Sequence, residues 1–467
     1  DCLLSRGLGD VYKRQDKYHL LYLDGAYGWD QFDENKVSSR VMDYVAGNLS
    51  ETGENSVFRT KLCEASLLEY MFATDNDGTG MLRQASAYMK RHLPEDVAKK
   101  MYQQYQDGKK AEADGKTEYS VEDADQAIIN AKKEKEQADQ NDKEGAPQEE
   151  AGEKNIQDNE NNHAQDAEDG KKESPIQIVL QLKQNALLGM TVSDMSSLSA
   201  KAVEAKDMVS NRQCETGRYD MKKAEKMNVS DRVMVLEYIG KHFSDYTEPG
   251  KGDLTYEMEY ILCGKDTDKK NLESSIERLM RMREAANVAH IIADREKLNQ
   301  TLMIATSLAG FSGNPAVVKI VQIGVVAAWA YVESILDLRT LLFGGKISLI
   351  KSAAEWTTDL KKLGEIVTGE GKARECKNGL SYQAYIKQLL FAMKEKKMAY
   401  RMMDIMELAM QKEQNGKNAR MDHMIDNMIC ELRFEAKPLF AKRSFYGDME
   451  KGGYTFFKRQ KLSYINE

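Results

Sequence analysis

A helix with almost no polar residue has to be buried, and one such helix is written between Asn314-Pro315 and Gly344-Gly345. Asn314 is a good cap, and Pro315 suits the first helical position, whose N–H has no intrahelical partner in any case. The glycine pair supplies the stop. Ile320 to Val332 is apolar almost throughout, yet Lys319, Gln322 and Glu333 hold the run below the roughly eighteen residues that a bilayer span needs. The pattern therefore predicts a core helix. Trp329 and Trp356, with Tyr256 and Tyr260, read as core aromatics that fix how helices lie on a sheet; a carbohydrate or peptide groove is the alternative.

Around this helix the periodicities change. Leu254, Tyr256, Met258, Tyr260 and Leu262 alternate with Thr255, Glu257, Glu259 and Ile261, the period of two expected of a half-buried strand ended by Gly264. Leu272, Ile276, Leu279, Met282, Ala286 and Ala289 then recur at helical spacing. Upstream, Tyr18–Leu23 reads as a short strand, and Lys36–Leu49, Phe58–Phe72 and Met81–His92 as helices, the last stopped by Pro94. Downstream come a helix from Pro175 to Leu188, another from Ser230, and a long helical run from Ser381 to Lys412 that breaks near Lys397. Met428–Ala436 and Tyr454–Tyr464 alternate again, with Gly452-Gly453 between them. The expected fold is α+β: a mainly helical body beside a small antiparallel sheet of largely C-terminal strands, paired with Leu254–Leu262.

Charge divides the chain. Of the net charge of −8 over 467 residues, the segment from Asp107 to Glu173 carries −11, from 21 acids and 10 bases, so the rest sums to +3. That segment has too few apolar residues to offset its ordering entropy and reads as a disordered acidic insertion over 107–174. It interrupts one globular domain formed by 16–106 and 175–467. No basic stripe argues for nucleic acid. The 6 cysteines lie far apart with no C-x-x-C, which disfavours metal knuckles and a dense disulfide scaffold; no two of the five beyond Cys2 are expected within disulfide range. Ala73–Gly80, ATDNDGTG, resembles a calcium loop at Asp75, Asp77 and Gly78, but Ala73 and Gln84 stand where the loop needs acids. It reads as a polar turn. Residues 1–15, DCLLSRGLGDVYKRQ, resemble translated sequencing-adapter read-through and are excluded from the fold.

Two pairs of residues invite chemistry. Glu333 and Asp337, four apart on the apolar helix, share a face, where paired carboxylates could shift each other's protonation or hold a metal. An ion pair with Arg283, Arg339 or Lys346 is the simpler expectation, because an unpaired buried charge costs several kcal/mol. His290 and Asp294 form a second i, i+4 pair with too few ligands for a site. A metal-assisted hydrolase would need all four side chains to converge within roughly 5 Å on an open cleft. No G-x-S-x-G elbow and no P-loop occurs, since GGKIS at 344–348 and TGEGK at 368–372 lack its spacing. No cofactor is expected.

The blocks YEMEYILCGKDTDKKNLESSIERLMRMREAAN, NPAVVK, AWAYVESILDLRTLLFGGKISLIK and EWTTDL, with YHLLYLDGAYG upstream and GLSYQAYIKQLLF downstream, resemble an uncharacterised family of Gram-positive gut anaerobes, a domain of unknown function. Its genes often lie beside TadE-like pseudopilins of tight-adherence pilus clusters. The resemblance implies one membrane-spanning helix just ahead of the YHLLYLD block, an extracytoplasmic home, and pseudopilins or other surface-apparatus proteins as partners. It carries over no catalytic residue. Three readings follow: a membrane-anchored structural or interaction protein, the hydrolase using Glu333, Asp337, His290 and Asp294, and a cytoplasmic helical scaffold whose acidic segment recruits partners.

Overall fold

The computed structural model describes residues 17–25, 31–53, 60–93, 99–100, 102–103, 106, 174–219, 227–363, 371–412, 418–436, 449–450 and 453–463. The acidic insertion and residues 1–15 lie outside them. Along the chain the main elements are β1 (Leu23–Asp24), α1 (Glu34–Gly53), β2 (Thr60–Phe72), α2 (Thr79–His92), α3 (Pro175–Leu182) and α4 (Leu187–Thr191). There follow α5 (Val229–His242), α6 (Glu257–Cys263), α7 (Asp268–Ala293), α8 (Arg295–Ala309) and α9 (Pro315–Leu342). The last are α10 (Tyr382–Phe391), α11 (Glu395–Gln411), β3 (Met424–Ala436), β4 (Met449–Glu450) and β5 (Gly453–Ser463). The fold is α+β, and packing separates the chain into two compact units.

The first unit comprises Asp1–Tyr105, Ser199–Leu272 and Ile386–Glu467. Its antiparallel sheet is centred on β3, flanked by β2 on one side and β5 on the other, with β1 beside the start of β3 and β4 beside β5. Val37, Val41 and Val45 form a stripe at four-residue spacing on α1, packed with Leu62, Leu67, Phe72, Met428, Cys430 and Leu432 of the sheet. Each such aliphatic side chain contributes about 1.5–3 kcal/mol by burial. Elsewhere in the unit α2 packs on α5, and α11 presents the fully buried Met398, Met402, Met403 and Met406, flexible side chains that fill an irregular interior.

Two expectations fail here. Leu254–Leu262 is not a strand: Glu257–Cys263 is a helix buried on every side, and of the C-terminal strands β3 pairs with β2 and β5, and β5 with β3 and β4. Glu257 and Glu259, whose spacing mimicked a solvent face, are buried because they accept the backbone N–H groups of Ser244 and Tyr246, each at 2.9 Å. Phe58–Phe72 is in turn not a helix, since Thr60–Phe72 is β2. Its ladder with β3 is broken by register shifts at Leu62/Glu64, Leu67/Glu69 and Met71/Phe72, and each bulge erases the period of two. Smaller differences are that α3 ends at Leu182 and α4 restarts at Leu187, that only Leu23–Asp24 of the first apolar run is paired, and that the long run from Ser381 breaks at Ala392–Lys394.

The second unit comprises Gln106–Leu198 and Glu273–Tyr385. Helix α9 is its axis, packed by α8, α3 and α4, with every residue from Gly324 to Leu338 buried. The predicted cap is present: the Asn314 side chain accepts from Ala316 N, with Pro315 in the first turn. By length and composition α9 could cross a membrane, against the expectation that its apolar run is too short; 61% of its most apolar window is buried within the structure.

Candidate functional site

Glu333 and Asp337 project from one face of α9 into the interior of the second unit, where both are fully buried. Lys351, from the segment after α9, is equally buried and makes an ion pair with each of them. The Glu333 carboxylate also accepts the backbone N–H groups of Thr357 at 3.1 Å and Thr358 at 2.9 Å. Asp337 accepts from Arg283 Nε of α7 at 3.0 Å and from Asn287 Nδ2 at 3.1 Å. Arg283 is itself saturated: Nη1 donates to the carbonyls of Ser348 and Leu349 and to the Tyr385 hydroxyl, at 2.9–3.0 Å. Two carboxylates thus face two cations: three of the four oxygens accept hydrogen bonds from protein groups, and Asp337 Oδ1 is held by its ion-pair contact with the Lys351 ammonium. The indole N–H of Trp329 donates to the Thr358 hydroxyl at 2.7 Å, and that of Trp356 to the Thr358 carbonyl at 3.0 Å. The cluster ties segment 348–358 to α7 and α9. A buried ion cluster of this kind adds little net stability, yet it makes any arrangement that separates its members costly.

The second predicted pair is used elsewhere. His290 lies against the Trp356 indole, ring centroids 4.9 Å apart and 13° from parallel, and burial, then Lys297, holds its imidazole below its ordinary value. Asp294 caps α8, accepting from Glu296 N and Lys297 N, and pairs with the Lys297 ammonium at 2.8 Å, which holds its carboxyl low. Glu333 and Asp337 therefore share one closed network, while Asp294 serves a helix end. Of the cations expected to meet the acids, Arg283 does so. Arg339 instead donates to the Met190 carbonyl at 2.7 Å, and Lys351 takes the place expected of Lys346. Nothing in the local pattern marks Lys351, because a lysine in a polar turn ordinarily reads as solvated.

The calcium-like turn is a 3-10 turn with Asn76 and Asp77 at positive φ. Asp75 accepts from Phe72 N at 2.7 Å and Gly217 N at 3.0 Å. Among the described residues no group of three or more His, Cys, Asp or Glu side chains is placed to hold a metal ion. Among the described residues no disulfide joins Cys63, Cys214, Cys263, Cys376 and Cys430.

The first unit contains a cavity of about 550 Å³ between the end of α5, the loop 248–254 and the second half of α11. Leu254, Ile405, Leu408 and Ala409 give it an apolar floor, and Lys17, Lys241, Lys251 and Lys412 line its rim. Two of its acids are paired: Glu257 with Lys17 and Asp253 with Lys412, each at 2.7 Å. His242, on its wall, is 2.7 Å from the Lys17 carbonyl through Nδ1, so Nδ1 carries the hydrogen and Nε2 is buried without a partner. Burial pushes this imidazole down to about 4. At neutral pH it is an uncharged group that anchors Lys17.

No curated protein and no solved structure matches the chain. Residues 165–436, more than half of the chain and including both carboxylates and the cations that bind them, match a family of unknown function, DUF5702, and the chain belongs to that family.

Proposed function

We propose that this protein is a non-catalytic structural or interaction component, held at the extracytoplasmic face of the cell membrane and working with a pilus-like tight-adherence or secretion apparatus whose pseudopilins are its partners. The observation that supports the non-catalytic reading is the pairing of Glu333 and Asp337 with Lys351 and Arg283 inside closed packing. General acid–base or metal chemistry needs a carboxylate with an oxygen turned to substrate, water or ion, and these oxygens are turned to protein donors. The surface location rests on the resemblance of the YHLLYLDGAYG and later blocks to a family with one membrane-spanning helix ahead of them.

The test expresses the complete reading frame in a Gram-positive host and treats intact cells with a membrane-impermeant maleimide. Cys63, partly exposed on β2, is the reporter, in a Cys214→Ser background. Recovery in the membrane fraction, with labelling of intact cells that is abolished by Cys63→Ser, is the expected result. Labelling only after lysis would overturn the surface location in favour of the cytoplasmic scaffold.

A further inference from the structure

Helices α8 and α9 form a hairpin in the second unit, joined by a 3-10 turn at Gly310–Ser312 and by Gly313, whose φ is 62°. Across it the Gln322 side-chain amide donates to the Leu298 carbonyl at 3.2 Å and to the Thr301 hydroxyl at 3.3 Å, which sets these levels of the two helices side by side. Everything nearer the turn, as far as Val318, is uncharged: Leu298 to Val318 is the longest stretch of the chain without Asp, Glu, Lys or Arg. Leu302 is 43% and Met303 73% exposed, and Gly310 and the run from Ser312 to Ala316 are exposed as well. The hydroxyls of this tip are bonded within the hairpin: those of Thr306, Ser307 and Ser312 donate to the carbonyls of Leu302, Ile304 and Ala309 at 2.7–2.8 Å. Pro315 brings no N–H, and the N–H groups of Ala316, Val317 and Val318 all end on Asn314.

Water alone does not select against charge on an exposed helix end, and a protein partner is met by side-chain donors and acceptors turned outward as well as by apolar groups. Hydrocarbon differs from both, because it requires polar groups to be satisfied inside their own segment, and that is the state of this tip. We propose that the α8–α9 tip inserts into the interfacial layer of an anionic phospholipid bilayer. Lys319 sets the depth. It is the first charge on α9, four residues past Pro315, so at 1.5 Å per residue it stands about 6 Å along the helix, within the roughly 5–10 Å to which interfacial helices are immersed. Its ammonium meets the lipid phosphates while its methylenes, with Leu302 and Met303, cover the ends of the acyl chains. α9 goes no deeper, because every residue from Gly324 to Leu338, Glu333 and Asp337 included, is buried in the unit. This deepens the membrane-associated reading and rests on it for bringing a bilayer near. The two fail separately, since the purified chain can bind vesicles while Cys63 labelling places it inside the cell, and the reverse.

The probe is a pair of vesicles, phosphatidylcholine alone and phosphatidylcholine mixed with phosphatidylglycerol, sedimented with the full chain. The expected result is binding to the mixed vesicles that weakens with salt, and weaker binding to phosphatidylcholine alone. Met303→Glu/Ala316→Glu, at two exposed positions, puts charge into the inserted layer and should weaken binding at least about tenfold with an unchanged circular-dichroism melt. Lys319→Gln should weaken it about fivefold on the mixed vesicles, the effect of one cation at an anionic surface. A nitrobenzoxadiazole label at Met303→Cys, with Cys2, Cys63 and Cys214 replaced by serine, should brighten and shift to the blue on the mixed vesicles, while the same label at Lys270→Cys on α7 should not; this reads the contact without the charged variant. Absence of binding to both vesicles, equal binding of the Met303→Glu/Ala316→Glu chain, or a label at Met303→Cys that does not respond would overturn the proposal. So would a dimer in sedimentation velocity that Met303→Glu dissociates and vesicles do not, since a second copy would then cover the tip.

Discussion

Replacing Lys351 by Met removes the cation that touches both carboxylates while roughly keeping side-chain volume, so the cost is electrostatic rather than that of a cavity. Asp337 retains Arg283 at 3.0 Å and Asn287 at 3.1 Å. Glu333 retains only the N–H groups of Thr357 and Thr358 and becomes a fully buried charge with no counter-ion. Removing one member of such a pair costs about 3–5 kcal/mol. Glu333→Gln in the same chain removes the stranded charge and leaves Asp337 with Arg283 as a neutral pair. The double variant should therefore return to within about 2 kcal/mol of wild type, a coupling of at least about 2 kcal/mol. Asp337→Asn with Lys351→Met should recover less, because it leaves Glu333 and Arg283 charged and apart. Guanidinium unfolding followed by tryptophan emission reads this out: Trp329 and Trp356 both sit against the cluster, and Trp29→Phe removes the third indole. A cost below about 1 kcal/mol for Lys351→Met, or a double variant as unstable as the sum of the single ones, would refute the reasoning.

Three further outcomes follow from other buried groups. Gly264 has a φ of 63°, and an added Cβ would run into the Arg401 guanidinium, which donates to the carbonyls of Ile261, Leu262 and Cys263 at the end of α6; Gly264→Ala should cost about 2 kcal/mol or more, from about 1 of backbone strain plus the displaced cap, measured by chemical denaturation. His242 is pushed from 6.5 to about 4 by burial, so its stabilising effect is complete above pH 6.5 and is lost as pH falls from there to about 4. The loss is at most about 3 kcal/mol, and about half that after solvent screening; His242→Gln should flatten this limb of the pH–stability curve. Burial raises the Asp426 carboxyl, so its ionisation destabilises the fold as pH rises; Asp426→Asn, which can still meet Gln84, should raise the melting temperature at pH 7 and lose that advantage in acid.

The long amphipathic and apolar helices were legible because their signals are local. Asn314-Pro315 caps α9 where the sequence indicates, and Met428–Ala436 alternates because β3 has a drier and a wetter face, whereas Thr455 to Arg459 of β5 are exposed in succession. β2 was not legible: LCEASLLEYMF is built of good helix formers, and only the α1 face and the β3 ladder make it a strand, with three bulges hiding the period. α6 misled for the opposite reason, since Glu257 and Glu259 are polar yet buried, their partners being backbone amides thirteen residues away. At the candidate site the two acids and Arg283 could be named from sequence. Lys351 could not, because its burial depends on how segment 348–358 folds back over α9, and no residue near it encodes that path.

The claim that the Glu333–Asp337 cluster is closed is tested most directly by lysine labelling of the folded chain with an acylating reagent, read residue by residue by mass spectrometry. Lys351, with none of its side chain in contact with solvent, should stay unmodified while exposed lysines such as Lys270 react, and should acquire label only under conditions that unfold the second unit. Modification of Lys351 in the native protein at a rate comparable to that of Lys270 would contradict the account, because an ammonium that a reagent can reach leaves its two carboxylates open to a substrate or a metal ion.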